Sequence, residues 1–177
     1  MPLGREYATQ ACSLARSLEV VGERWTLLIL RDLFMGIHRF SDLHAHLDIP
    51  RAVLAARLRA LVEQGIAERR PYRGDRAEFH LTAAGRELWP VLHGLIVWGD
   101  RHRPVDGGPR RLFVHAACGT SLAPGGDCPA CALTPDPSEV ETRPGPGIDP
   151  ARRHDRVSRA LRQPHRLLTP LAVPSHS

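Results

Sequence analysis

The chain has 177 residues, 24 of them basic and 19 acidic, for a net charge of +5 and an isoelectric point near 9.7. That length holds about one domain with a remainder. No stretch reaches the roughly 18 continuous apolar residues of a membrane span, and no signal-peptide pattern opens the chain, so an integral membrane protein is excluded and a cytoplasmic one expected.

Every basic residue is arginine, a side chain suited to planar contacts with phosphate and guanine. The charge permits a polyanionic partner without demanding one. Four of the 16 prolines lie before residue 104; residues 104–177 hold the other 12 and seven of the 15 glycines. A compact domain is therefore expected over residues 11–103. An irregular extension follows, with a knuckle at 110–133 and, over 134–177, a Pro/Gly-rich linker and a disordered, Arg-rich tail.

Along the chain, Leu14, Leu18 and Val21 recur at helical spacing from Cys12, and Gly22 punctuates. Residues 24–35 are apolar almost all round and predict a buried helix ended by Gly36. Ser41 is expected as the N-cap of a short third helix carrying Leu43 and Leu47, with Asp42 where the helix dipole favours negative charge. Pro50 suits the first position of a fourth helix to Gln64, in which Val53, Leu54, Leu58, Leu61 and Val62 form one stripe. Strands over 66–72 and 78–82 are joined by Arg73-Gly74-Asp75-Arg76-Ala77 as a hairpin. Thr82 caps a last apolar helix, which Pro90 kinks or restarts.

This order describes a winged helix-turn-helix: mainly α with a small β-hairpin, in the α+β class. In that arrangement the longer fourth helix enters the major groove. Its outward residues Arg51, Ala52, Ala55, Ala56 and Arg59 combine donors with small side chains that permit close approach to base edges. Ser41 joins them, and Arg73 and Arg76 at the hairpin tip suit the adjacent minor groove. His44 and His46 face different ways on a short helix, toward solvent or phosphate rather than a shared metal.

The residues also resemble the HxlR-type winged-helix transcriptional regulators of bacteria and archaea. The resemblance rests on Cys12-Ser13-Leu14-Ala15, residues 22–33, Gly36 with Arg39-Phe40-Ser41-Asp42-Leu43, Leu54 through Leu61, Gly65-Ile66 and residues 81–88, in the family's order and spacing over roughly residues 11–102. It implies a homodimer on an inverted-repeat or similar operator in double-stranded DNA. The first helix and the helix after the wing, with Trp98, would form its interface. Arg57 matches a frequent family arginine and is either a phosphate or base contact or half of a buried ion pair. Some regulators of this type carry a cysteine at the position of Cys12 that senses oxidants, which admits an oxidant effector here as well as a small molecule; the alternative is a small hydrophobe packed at the interface.

The extension carries His115-x2-Cys118, nine intervening residues, then Cys128-x2-Cys131. Two-residue spacing lets the side chains of a tight turn reach one ion, and four such ligands complete a tetrahedral Zn²⁺ site with no open position, hence a structural one. It is similar to the zinc-ribbon-like tail of some family members. An unmetallated loop or a Cys128/Cys131 redox pair is the alternative. Arg152, Arg153, Arg156, Arg159, Arg162 and Arg166, interleaved with Val157, Leu161, Leu167 and Leu168, read as a disordered basic tail or a short amphipathic helix. The chain shows no nucleophile elbow, phosphate loop or paired carboxylates, so no enzyme is expected. The rival functions are a winged-helix module that binds protein, and a zinc- or thiol-dependent redox protein.

Overall fold

The computed structural model describes residues 12–74 and 76–173. Residue 11, the expected domain start, and Asp75, in the expected hairpin turn, lie outside them. The chain opens with α1 (Ser13–Val21), α2 (Thr26–Phe34), α3 (Phe40–Leu47) and α4 (Arg51–Glu63). α2 is the central helix, and its Ile29, Leu30, Leu33 and Phe34 are all buried. A sharp turn at Gly36, φ +76°, ends it.

α3 begins one residue before Ser41. Arg39 is the cap residue, with an extended backbone and no side-chain cap, so Ser41 lies in the first turn rather than at the N-cap. The isolated bridge between Arg39 and Glu78 holds the chain extended at that point, so tertiary pairing overrides the local capping preference. Asp48 closes α3 in the left-handed region, and Pro50 leads into α4, whose Leu54, Leu58 and Leu61 are buried.

β1 (Ala67–Pro71) and β2 (Ala77–Leu81) pair antiparallel from Ala67 opposite Leu81 to Pro71 opposite Ala77. Thr82 ties the foot of this wing: its hydroxyl donates to the Gly65 carbonyl at 2.6 Å and accepts from the Gly85 N–H, capping the short α5 (Ala83–Arg86). α6 (Trp89–His102) then starts afresh with Pro90 in its first turn, where the missing N–H costs nothing.

The extension departs from expectation. Residues 134–173 are neither linker nor disordered tail. β3 (Arg111–His115), β4 (Val140–Pro144) and β5 (His165–Arg166) form an antiparallel sheet in the order β3-β4-β5, and α7 (Arg156–Ala160) lies against α3. Val140, Val157, Leu161 and Leu167 are at most 1% exposed and share one core with Phe34, Leu43 and Trp89. The Phe113 ring meets Trp89 edge-on at 5.2 Å. Apolar residues spaced among the arginines supply the burial that ordering needs. Asp155 caps α7 by accepting from the Ser158 N–H.

Candidate nucleic-acid interface and metal centre

The stripe that buries Leu54, Leu58 and Leu61 turns the opposite face of α4 to solvent. Arg51, Ala52, Ala56 and Arg59 are exposed there and Ala55 is half-buried. The Arg51 guanidinium stands 5.4 Å from the Phe40 ring, which holds it beside the N-terminus of α4. Arg57 is partly buried, 3.5 Å from the Glu23 carboxylate, but Glu23 is 46% exposed, so the pair is a surface one rather than the buried ion pair that was one of the two options.

At the wing tip Arg73 and Arg76 are exposed, with the Arg73 guanidinium 5.6 Å from the Tyr72 ring. Between tip and helix runs a cleft of about 720 Å³ whose lining includes Arg39, Arg51, Arg69, Arg73, Arg76 and Arg156, beside Ser41. Among the described residues Asp42 is its one acidic lining residue, and it is buried in an ion pair with Arg156, which also donates to the Ser41 hydroxyl at 3.1 Å. The wall is thus strongly cationic at the spacing of a helix-turn-helix and its wing.

Sequence reasoning missed three parts of this wall. Arg39 stood within the matching stretch but received no role; it lies over the Tyr72 ring at 4.4 Å and donates to its hydroxyl at 2.7 Å. Arg69 shares a strand face with buried Ala67 yet is exposed, so strand period points the wrong way and could not have found it. Arg156 lies 115 residues from Ser41, and no local pattern predicts that return. His46 also departs from expectation: it turns inward, with Nδ1 2.7 Å from Asp32 Oδ2, because a fully buried carboxylate needs a second partner besides Arg31. His44 lies against the Phe40 ring in a stacked pair.

Cys12 is an exposed free thiol at the N-cap of α1, one turn before Arg16, whose N–H donates to the Cys12 carbonyl. In the extension, β3 ends at buried His115, and the turn after it brings Cys118 Sγ within 3.5 Å of both His115 Nδ1 and Cys128 Sγ. The four ligand atoms of His115, Cys118, Cys128 and Cys131 all lie within 4.8 Å of one another, with no disulfide among them. Hydrogen bonds from Thr120 bring the Cys118 thiol down to about 6, while hydrogen bonding with Cys118 pushes Cys131 up to about 11. A thiolate among thiols and an imidazole, at these separations, fits a tetrahedral zinc ion.

Between α6 and the extension lies a cavity of about 320 Å³ lined in part by Arg31, Arg110, Arg111, Ile96, Phe113 and Leu161. Burial pushes Arg111 down to about 10, assisted by the charge of Arg31; among the described residues no carboxylate lies within 4.0 Å of it.

A four-helix head with a two-stranded wing and a cationic cleft between them defines a winged helix-turn-helix protein. Residues 20–106 match the model of the HxlR-like helix-turn-helix family. An uncharacterized HTH-type transcriptional regulator of Mycobacterium tuberculosis, Rv3095, is 45% identical over 138 residues, which is 77% of this chain and 87% of that protein. YdeP of Bacillus subtilis, also described as an HTH-type transcriptional regulator, is 28% identical over 107 residues, 57% of this chain and 84% of its own. Among solved structures, PA1607, a candidate transcription factor, superposes with a TM-score of 0.52 at 38% identity, covering 64% of this chain and 89% of its own. The chain belongs to the HxlR-like family and is a transcriptional regulator with a helix-turn-helix DNA-binding fold.

Proposed function

We propose that the chain acts as a homodimeric, sequence-specific binder of a double-stranded DNA operator. The arginine-lined cleft between α4 and the wing carries this reading. Arg51, Ala52, Ala55, Ala56 and Arg59 face base edges, while Ser41, Arg73 and Arg76 contact the backbone and minor groove. Dimerisation is supported by an exposed apolar face on α1 and α6, where Leu14, Val91, Leu95 and Trp98 are each 48–65% exposed. His115, Cys118, Cys128 and Cys131 hold one structural Zn²⁺, whose full ligand set leaves no catalytic position. Metal analysis of purified protein should return about one Zn²⁺ per chain from this cluster, lowered by Cys131→Ser; a folded, metal-free protein removes it.

The effector is an oxidant at Cys12 or a small anion with an apolar body in the Arg111 cavity. The deciding experiment is binding to the chain's own upstream DNA across a salt series, alone, with hydrogen peroxide and with benzoate. Expected is tight, competitor-resistant binding that Arg51→Ala shifts in sequence preference and Arg73→Ala with Arg76→Ala weakens on all DNA. The double variant should lower the slope of log affinity against log salt by up to about 2. Peroxide release that Cys12→Ser abolishes assigns the oxidant; benzoate release that Arg111→Gln abolishes assigns the cavity. Binding no tighter than to random DNA at every salt overturns operator recognition and favours a protein partner for the alanine-rich face of α4.

A further inference from the structure

We propose that His38, Glu78 and His80 form a second metal site, at the root of the wing, for a borderline divalent transition ion such as Co²⁺, Ni²⁺ or Zn²⁺. Each residue offers one ligand atom, and these atoms lie within 4.8 Å of one another. Ligands around such an ion sit roughly 3.3 Å apart given bonds of about 2.0 Å, so side-chain shifts of about an ångström close the set. The backbone already fixes the parts: the Phe79 N–H donates to the His38 carbonyl at 2.9 Å, and the Arg39–Glu78 bridge sets the register between this segment and β2. His80 Nε2 is 3.4 Å from Glu78 Oε2, and the rings of His38 and His80 are 4.0 Å apart.

The observation that points to a ligand is His38 itself. Its side chain is 6% exposed, and Nδ1 is buried with no hydrogen-bond partner. A buried polar atom is normally satisfied. Two imidazoles packed at a 40° tilt account for their proximity but leave this nitrogen orphaned, whereas a metal takes its lone pair. Two imidazoles and one carboxylate suit zinc, nickel or cobalt, not magnesium or calcium, and leave at least one position to water. The set is separate from the cysteine-rich cluster and contains no thiol.

The position also couples the site to the cleft, a consequence that rests on the regulator reading although metal binding does not. Glu78 Oε1 accepts from Arg39 Nε at 3.2 Å, and Arg39 lines the cleft. An ion that claims the Glu78 carboxylate loosens its hold on Arg39 and adds positive charge behind the wing. Both effects favour phosphate.

The test uses untagged full-length protein carrying one equivalent of zinc, titrated with Co²⁺ and followed by absorption. Expected is a further equivalent with ligand-field bands and no thiolate charge-transfer band, lost in His80→Ala and in Glu78→Gln but kept in Arg86→Ala. Because His38 is buried and its variants risk misfolding, the half-buried His80 and Glu78 decide. No further equivalent at 100 µM Co²⁺, or one that survives both substitutions, overturns the site. In the same protein, Co²⁺ should tighten operator binding about fivefold or more, and leave His80→Ala unmoved. Cobalt binding without that change overturns the coupling alone, and absence of any DNA binding overturns the regulator reading while the spectra still decide the site.

Discussion

Asp32 is fully buried in α2, where an unpaired carboxylate would be prohibitive. Arg31 donates to one oxygen at 2.7 Å and His46 reaches the other at the same distance. Burial by itself would raise its pKa; the Arg31 charge and the His46 contact outweigh it and hold the carboxyl below its ordinary range. On acidification the unfolded chain therefore takes up this proton first. The stability it lends is full above the ordinary carboxylate value near pH 4 and is lost as pH falls through it toward the lowered one. Asp32→Asn should cost about 3 kcal/mol at pH 7 in urea unfolding, and should show a smaller further loss between pH 5 and 3 than the parent chain. An unchanged acid slope would contradict this account. The sequence placed Asp32 beside Arg31 on a largely apolar helix, but no periodicity identifies a charge partner on another element, so His46 was misjudged.

At the scale of elements, the helices of the head and the two wing strands were legible because their apolar residues keep one period and their stops carry local chemistry. Leu54, Leu58 and Leu61 set the face of α4, Thr82 caps the short α5, and Pro90 marks the restart at α6. In the extension the four clustered ligands were legible, but the order of the chain beyond them was not. Its prolines and glycines look like breakers, yet several close turns that a side chain would block: a Cβ on Gly147 would stand 1.9 Å from the Gly108 carbonyl oxygen. Gly36 does the same between head and extension. Its carbonyl accepts from the Leu171 N–H, and a Cβ there would lie 1.8 Å from the Thr169 carbonyl oxygen. Gly36→Ala should therefore undock residues 165–173, at a cost of about 2 kcal/mol or more. Limited proteolysis should then cut the extension of the variant but not of the parent; equal resistance would show that the segment docks independently of that turn.

For the molecule as a whole, one core joins Val21 of α1 to Leu167 beyond β5, while a second apolar face stays uncovered. Leu95 and Trp98 lie three residues apart on the outer side of α6, a spacing that presents one surface. Leu95→Arg with Trp98→Arg should shift light scattering from dimer to monomer with little change in helical content, and weaken operator binding by more than tenfold. A variant that remains dimeric would move the interface elsewhere. The family resemblance pointed to Trp98 for the uncovered face, but the covered one could not be read from sequence, because only the returning extension decides that it is buried.

That return sets a clock during synthesis. When α6 has just been made, the surfaces that Val157, Leu161 and Leu167 will cover are bare. Leu167 follows His102 by 65 residues. At ribosomal speeds of about 5–20 residues per second, the nascent head waits roughly 3–13 s before its own lid is translated. Stalling or slow codons in that interval should favour aggregation of an otherwise well-formed reading head.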